Sequence, residues 1–302
     1  MPLRLLYLII IGSIISVSSA QDIAPDPRFP LPETNYQGER ITLDLYFDAV
    51  QQGRVGLFRI TSDDDLTGIT ATAFARTLPV FERGGDFYGL ISVNMEQAPR
   101  RYELVVVATF DDQASERITA PIDINDGDFI QQPVVMPPDL VDLLDRELED
   151  AELERLFATA RPITATALWD ENGFTYPIRA ELTSPFGAVR VFNDTYPSVH
   201  TGWDFNAQIG EPLLAVADGE VALADLLPIR GNHVMVNHGV GVYSGYSHLS
   251  VVYVTQGQSV SAGQVIGLVG STGRSSSAHA HIEFIVDSNW IDASDFIQMT
   301  LP

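Results

Sequence analysis

The stretch His279-Ala280-His281-Ile282-Glu283-Phe284-Ile285-Val286 decides how this chain reads. Its aromatic and β-branched residues favour an extended strand, and the two-residue period of a strand puts His279, His281 and Glu283 on one face. Polar turn residues, Gly270-Ser271-Thr272-Gly273-Arg274 and Ser275-Ser276-Ser277-Ala278, lead into it. Two imidazoles facing one space suit a metal ion and its water, because neutral imidazole is a common zinc ligand. Two histidines on a strand are more often satisfied core or surface residues, so the weight of the reading comes from upstream. There, Ser198-Val199-His200-Thr201-Gly202-Trp203-Asp204-Phe205 adds an imidazole and a carboxylate after the turn-forming run Thr183-Ser184-Pro185-Phe186-Gly187. Tyr246-Ser247-His248-Leu249-Ser250 adds one imidazole more.

Around these pieces the chain is rich in glycine and in short β-type runs from Trp169 to its end. Val216-Ala217-Asp218-Gly219-Glu220-Val221, Asn232 to Gly239 and Val265 to Gly270 read as strands closing at glycines, with Gly257 to Gln264 as a hairpin. An antiparallel sheet domain over residues 166–302 follows. Before it, residues 137–165 read as a short helical linker, with Asp139 as N-cap and Leu140, Leu143, Leu144 and Leu148 at helical spacing. The run Glu147-Leu148-Glu149-Asp150-Ala151-Glu152 reads mostly as a solvated face, and Arg161-Pro162 as the stop. Residues 39–136 carry β-type runs divided by Gly68, Gly84-Gly85 and Asn125-Asp126-Gly127, the pattern of a small immunoglobulin-like sandwich. This half has no His and no complete catalytic set, so it is expected to position or restrain the domain that follows. Its run Asp63-Asp64-Asp65 reads as a solvated turn, since no full calcium loop surrounds it. The expected class is all-β with two domains.

Residues 21–38 carry four prolines and read as an extended linker. Residues 1–20 have the pattern of a signal peptide: Arg4, an apolar core from Leu5 to Val17, and small residues Ser18-Ser19-Ala20 before Gln21. The expected location is therefore periplasmic, cell-wall or extracellular, with no stable membrane span after cleavage.

With 302 residues and 45% hydrophobic content the chain can fill two packed cores. Its formal net charge is -23, and all 17 basic side chains are Arg. Such acidity argues against nucleic acid as a partner. The absence of Cys excludes disulfides and thiolate ligands, so any zinc site must be built from His and carboxylate. No Gly-x-Ser-x-Gly elbow occurs, and Gly270-Ser271-Thr272-Gly273 lacks the Lys and spacing of a phosphate loop.

From about Leu182 to Phe296 the chain resembles the lysostaphin-type, or LytM-like, zinc endopeptidases of bacterial cell walls. The resemblance rests on Thr183 to Gly187, His200-Thr201-Gly202-Trp203-Asp204-Phe205, Ala217-Asp218-Gly219-Glu220-Val221, Gly231 to Gly239, Tyr246 to Ser250, Gly263-Gln264-Val265-Ile266-Gly267, Gly270 to Gly273 and His279-Ala280-His281, all in one order. It implies that His200, Asp204 and His281 hold Zn2+, and that His248 and His279 are the two catalytic imidazoles. Three protein ligands leave one position for water, as a catalytic zinc requires. Of His248 and His279, one would take a proton from the zinc-activated water and the other would support the oxyanion or the leaving amine, in either order. Glu283 either orients a ligand or is an ordinary surface carboxylate. Tyr196, which precedes His200, reads either as a donor to an oxyanion or, more often for such a residue, as an unassigned loop tyrosine. Ala280 stands where the family has Leu, on the side facing away from the metal. His233 and His238 lie outside the five core positions and read as structural or rim residues. The implied function is an exported metalloendopeptidase cutting peptidoglycan stems or cross-bridges. The alternative is a non-catalytic LytM-like adaptor that activates another wall hydrolase.

Overall fold

The computed structural model describes residues 30–299 and 301–302. The expected signal peptide, 1–20, and residues 21–29 of the proline-rich stretch lie outside the described residues. At 48% strand and 10% helix the described residues are all-β, as the sequence pattern predicts.

The first half is a pair of facing five-stranded sheets. One runs in the order Thr34–Gln37, Ile41–Leu45, Val55–Ser62, Asp86–Ser92, Val80–Arg83; the other in the order Ala49–Gln51, Ser115–Asn125, Arg101–Phe110, Leu66–Ala73, Arg76–Leu78. The first strand lies within the stretch expected as linker. Strict alternation explains the packing: Leu104, Val106, Ala108 and Phe110 are buried, as are Ile118, Ala120, Ile122 and Ile124 of the neighbouring strand, with Val106 opposite Ile118 and Leu104 opposite Ala120. Ile41, Leu43, Phe58 and Ile60 complete this core from the facing sheet. All pairings in the sandwich are antiparallel except Ala49–Gln51 with Ser115–Asn125.

The outer face of the first sheet is also buried. Val55, Leu57, Phe81, Tyr88 and Leu90 join a second core whose remaining members come from residues 156 onward. Phe81 meets Trp169 edge to face at 5.6 Å, and Arg54 Nε and the Val55 N–H donate to the Asp295 carboxylate at 2.8 and 2.7 Å. The sandwich is thus packed against the second half through a shared apolar layer.

The second half is built on an eight-stranded sheet in the order Leu182–Ser184, Gly202–Phe205, Ala280–Val286, Val242–Leu249, Gly231–Asn237, Gly219–Leu227, Ser259–Val260, with Asn289–Ile291 on the far side of Ala280–Val286. Each pairing in it is antiparallel. The Ala280–Val286 strand is buried on both faces, so its period of two separates two environments. Ala280, Ile282, Phe284 and Val286 enter the apolar core, and His281 and Glu283 take the other side. Ala280 therefore faces away from the imidazoles, as expected.

The linker differs from its sequence reading in three respects. Pro138–Leu143 forms a short 3-10 turn, and the α-helix proper is Arg146–Ala160, capped by Asp145, whose carboxylate accepts from the Leu148 N–H at 3.1 Å. Asp139 is not its cap. The acidic run is a solvated face only in part: Glu147, Asp150 and Ala151 are exposed, but Glu149 and Glu152 are buried with Leu156 and Ala160 along one side of the helix. Cations from the turns beside the sheet make that burial tolerable. Glu149 accepts from Arg274 at 3.1 and 3.2 Å, from Ser198 Oγ at 2.8 Å and from the Tyr196 hydroxyl. Finally, Gln131–Val134, just before the linker, pairs in parallel with Val189–Phe192, which pairs in turn with Tyr196–Val199. This small three-stranded sheet stands at the edge of the site.

Burial would raise the Glu149 carboxyl, but hydrogen bonds and charge from Arg274 outweigh it and hold the group down at about 2. A depressed carboxyl stabilises the fold fully above its ordinary value, 4.5, and that stabilisation is lost as pH falls toward about 2. Thermal denaturation should therefore show the wild type losing stability steeply over that acid range. Glu149→Gln should be less stable at neutral pH and fall less steeply, and equal slopes would refute the assignment.

Candidate metal centre

Register assembles the centre. In the pairing of Gly202–Phe205 with Ala280–Val286, Asp204 lies opposite His281 and Gly202 opposite Glu283, so the carboxylate and the imidazole project from one face as cross-strand neighbours. His200 ends the approach to this strand, its N–H donating to Ala188 O at 2.9 Å. Gly202 is required there, because a Cβ would stand 2.1 Å from the carbonyl oxygen of Ile282.

His200, Asp204 and His281 present one donor atom each within 4.8 Å of one another, and all three are buried. Asp204 Oδ1 stands 3.1 Å from His200 Nε2 and 2.8 Å from His281 Nδ1, and those two nitrogens are 3.1 Å apart. The outer atoms identify the tautomers. His200 Nδ1 donates to Pro185 O at 2.7 Å, leaving a lone pair on Nε2. His281 Nε2 faces Glu283 Oε2 at 3.4 Å, which favours the proton there and a lone pair on Nδ1. Two nitrogen lone pairs and a carboxylate oxygen then converge on one point, a donor set that fits a divalent cation. The second Asp204 oxygen accepts from Arg190, which leaves Oδ1 as the inward-facing atom.

Charge follows geometry. Burial pushes His200 down to about 4 despite Asp204 beside it. Burial would raise the Asp204 carboxyl, but His200 and His281 outweigh it and hold it well below the carboxylate range. For His281, burial would lower the ring, but the carboxylates of Asp204 and Glu283 raise it.

His248 and His279 arrive from separate segments, yet their rings lie 4.9 Å apart. The His248 ring is 5.9 Å from that of His281, and His279 Nε2 is 3.5 Å from Asp204 Oδ1. His248 closes its strand in a left-handed conformation, φ +60, that a branched or bulky residue rarely adopts without support. Support comes from its N–H to Arg230 O at 2.8 Å and its Nδ1 to Thr272 O at 2.7 Å. His279 Nδ1 likewise donates to Ser277 O at 2.8 Å. Both rings are thereby fixed with Nε2 as the free acceptor. Burial, then the neighbouring rings, hold His248 well below the ordinary imidazole value; burial also lowers His279, against the pull of Asp204.

All five sequence-predicted residues thus meet at the floor of one cleft of about 640 Å³. Other expectations change. Glu283 is 1% exposed and paired with Arg230, so the surface-carboxylate reading is wrong. For His233 and His238 the structural reading holds and the rim reading does not: both are fully buried, held by Ser247 Oγ at 3.1 Å and by Asp218 O at 2.8 Å, and neither lines the cleft. The Tyr196 hydroxyl is committed to Glu149. Sequence reasoning missed Arg190, Gln132, Arg230 and Glu152. Arg190 bridges Asp204, Ser184 Oγ at 2.9 Å and Gln132 Oε1 at 3.2 Å, a set brought together from three separate strands.

Residues 198–293 match Peptidase family M23. They are an M23 peptidase domain. The chain is 34% identical over 154 residues to the peptidoglycan DD-endopeptidase ShyA of Vibrio cholerae, covering 46% of this chain and 36% of that one. It is 40% identical over 119 residues to the DD-carboxypeptidase/endopeptidase Mpg of Neisseria meningitidis, covering 38% of this chain and 27% of that one. The match therefore spans about a third of these relatives' length. A crystal structure from Pseudomonas aeruginosa, assigned to peptidase M23, superposes with a TM-score of 0.60 at 24% identity over 84% of this chain and 96% of that one; it shares the fold well beyond the M23 domain.

The donor set predicts one zinc per chain, measurable by elemental analysis after dialysis. His281→Ala should retain none, and full zinc content in that variant would defeat the ligand assignment.

Proposed function

We propose that the chain is an exported zinc metalloendopeptidase that hydrolyses peptide bonds in peptidoglycan stems or cross-bridges. The observation that carries this reading is the juxtaposition of two neutral imidazoles, His248 and His279, with a separate three-donor cluster of His200, Asp204 and His281. A purely structural metal site has no use for the first pair. Zinc held by the three donors would supply Lewis acidity, which ionises water near neutral pH and polarises a carbonyl.

The protein's own groups supply the proton traffic. Amide hydrolysis removes one proton from the attacking water and delivers one to the leaving nitrogen. His248 and His279 each keep Nδ1–H bound to a backbone carbonyl, so each offers Nε2 to the cleft as an acceptor and, once protonated, as a donor. Their lowered proton affinity keeps both neutral at neutral pH, ready to accept. Arg190 holds Asp204 in a one-oxygen presentation, and Ser184, itself bonded to Gln132 at 2.8 Å, stands 3.3 Å from His200 Nδ1. The residues lining the cleft include Leu153 and Phe157 of the linker helix, Val199, Phe192, Trp290 and Arg146.

The substrate reading is supported by the named activities of ShyA and Mpg, and by the acidic composition that disfavours nucleic acid. Export is supported by the pattern of residues 1–20. Among the described residues, no helix is long and apolar enough to cross a membrane. We further propose that residues 39–136 form a leader domain, 137–165 a helical connector and 166–302 the peptidase domain.

Incubating the purified chain with purified cell walls and identifying released peptides by mass spectrometry tests the reading. Wild type should release peptides. His248→Ala and His279→Ala should keep zinc and fold while turnover falls by roughly 10²–10⁴-fold. Undiminished release by either variant would sink the mechanism. An adaptor would show no hydrolysis in any of the three proteins and equal stimulation of a second hydrolase.

A further inference from the structure

The Arg146–Ala160 helix precedes the stretch that matches the M23 family, yet it sends a carboxylate into the buried end of the metal-binding sheet. Glu152 Oε2 accepts from the Ile229 N–H at 2.7 Å, and Oε1 accepts from the Arg230 N–H at 3.1 Å and from Arg230 Nη1 at 3.0 Å. The same guanidinium turns its other edge to Glu283, with Nε to Oε1 at 2.7 Å and Nη2 to Oε2 at 2.8 Å. Glu283 Oε2 also accepts from Thr201 Oγ1 at 2.7 Å and faces His281 Nε2 at 3.4 Å. Glu152, Arg230, Glu283 and His281 are all buried.

Two carboxylates here share one guanidinium, so one negative charge is left withdrawn from water. A buried charge of that kind is costly unless a further donor or cation meets it. His281 faces it from the metal side. A carboxylate that receives the ring N–H of a ligating histidine fixes the ring's tautomer and strengthens its other nitrogen as a ligand. With Arg230 alone, Glu283 would be a neutralised pair. Glu152 draws on the same guanidinium and so leaves Glu283 with charge to offer His281. Arg155, on the same helix, instead pairs with Asp225 where both are half exposed.

We propose that Glu152 is a positioning residue for the metal centre, acting through Arg230 and Glu283 to hold His281 with Nδ1 presented to zinc. The inference rests on the zinc reading above. It makes the connecting helix a working part of the site rather than a tether.

The test measures zinc dissociation constants of the full chain by chelator competition at neutral pH, with melting of the zinc-free protein as the control for folding. Glu283→Gln should weaken zinc by about 10- to 100-fold, the usual loss for such a partner. Glu152→Gln should weaken it about 10-fold, Arg155→Ala should leave it unchanged, and in the Glu283→Gln background Glu152→Gln should add nothing. A Glu152→Gln chain that melts like wild type and binds zinc as tightly overturns the inference, as does a loss of equal size in both backgrounds. Nitrogen-15 NMR of the zinc-loaded wild type keeps the idea testable if a variant does not fold: His281 should carry its proton on Nε2, and a proton on Nδ1 overturns it. A wild-type chain that binds no zinc would overturn the zinc reading too, whereas tight wild-type binding unaffected by Glu152→Gln overturns the present inference alone.

Discussion

Carboxylates withdrawn from water constrain this structure more than any other feature. Asp204 and Glu283 of the large sheet and Glu149 and Glu152 of the connecting helix are all buried. Each persists because guanidinium groups meet it: Arg190 at Asp204, Arg230 at Glu283 and Glu152, Arg274 at Glu149. That every basic side chain is Arg suits this duty. The guanidinium stays charged when desolvated and can bridge two carboxylates with separate edges, as Arg230 does; an ammonium group is a point charge that loses its proton more readily on burial. Burial lowers the Arg230 proton affinity, but the two carboxylates outweigh that and raise it above its ordinary value.

The apolar layer carries the sandwich's influence toward the same strand. Phe81 of the sandwich packs on Trp169, Trp169 on Phe174 at 5.6 Å, and Phe174 on Phe284 at 5.8 Å. Phe284 follows Glu283 and points to the opposite face. The strand that bears His281 is therefore clamped between a ring stack on one side and a buried ionic row on the other, and neither clamp tolerates a register slip, which would exchange the faces.

Much of this was legible in the sequence, and the reason is periodicity. The alternation in Arg101–Phe110 and in Ala280–Val286 is local, so the sandwich, the sheet and the common face of His281 and Glu283 could be read directly. The resemblance to the LytM-like endopeptidases pointed to five residues, and the fold brings those five together. What stayed hidden depends on contacts distant in sequence. Glu149 and Glu152 look like solvated helix residues because nothing nearby announces Arg274 or Arg230, which lie 125 and 78 positions away. Asp139 and Asp145 are both good caps by type, and only the backbone shows that the continuous helix begins after Asp145. Glu283 could be read as orienting a ligand or as a surface carboxylate, because its partner Arg230 carries no motif.

The same long-range contacts show why the family-matched stretch is smaller than the working unit. Residues 198–293 contain the three candidate ligands and both remaining imidazoles, but several atoms that orient them come from upstream. Pro185 O and Ser184 hold His200, Arg190 holds Asp204, Gln132 braces Ser184 and Arg190, and Glu152 backs the pair behind His281. Gln132 sits on the strand that leaves the sandwich, and Glu152 on the helix that follows, so the passage from one half to the other wraps the site before the sheet begins. A fragment starting near Ala165 would keep Ser184 and Arg190 but lose Gln132 and Glu152, and with Glu152 the acceptor of the Ile229 and Arg230 N–H groups. Because a metal ligand must be held in a single orientation to bind tightly, the role proposed for Glu152 would make the connecting helix part of the site's chemistry without any contact with substrate.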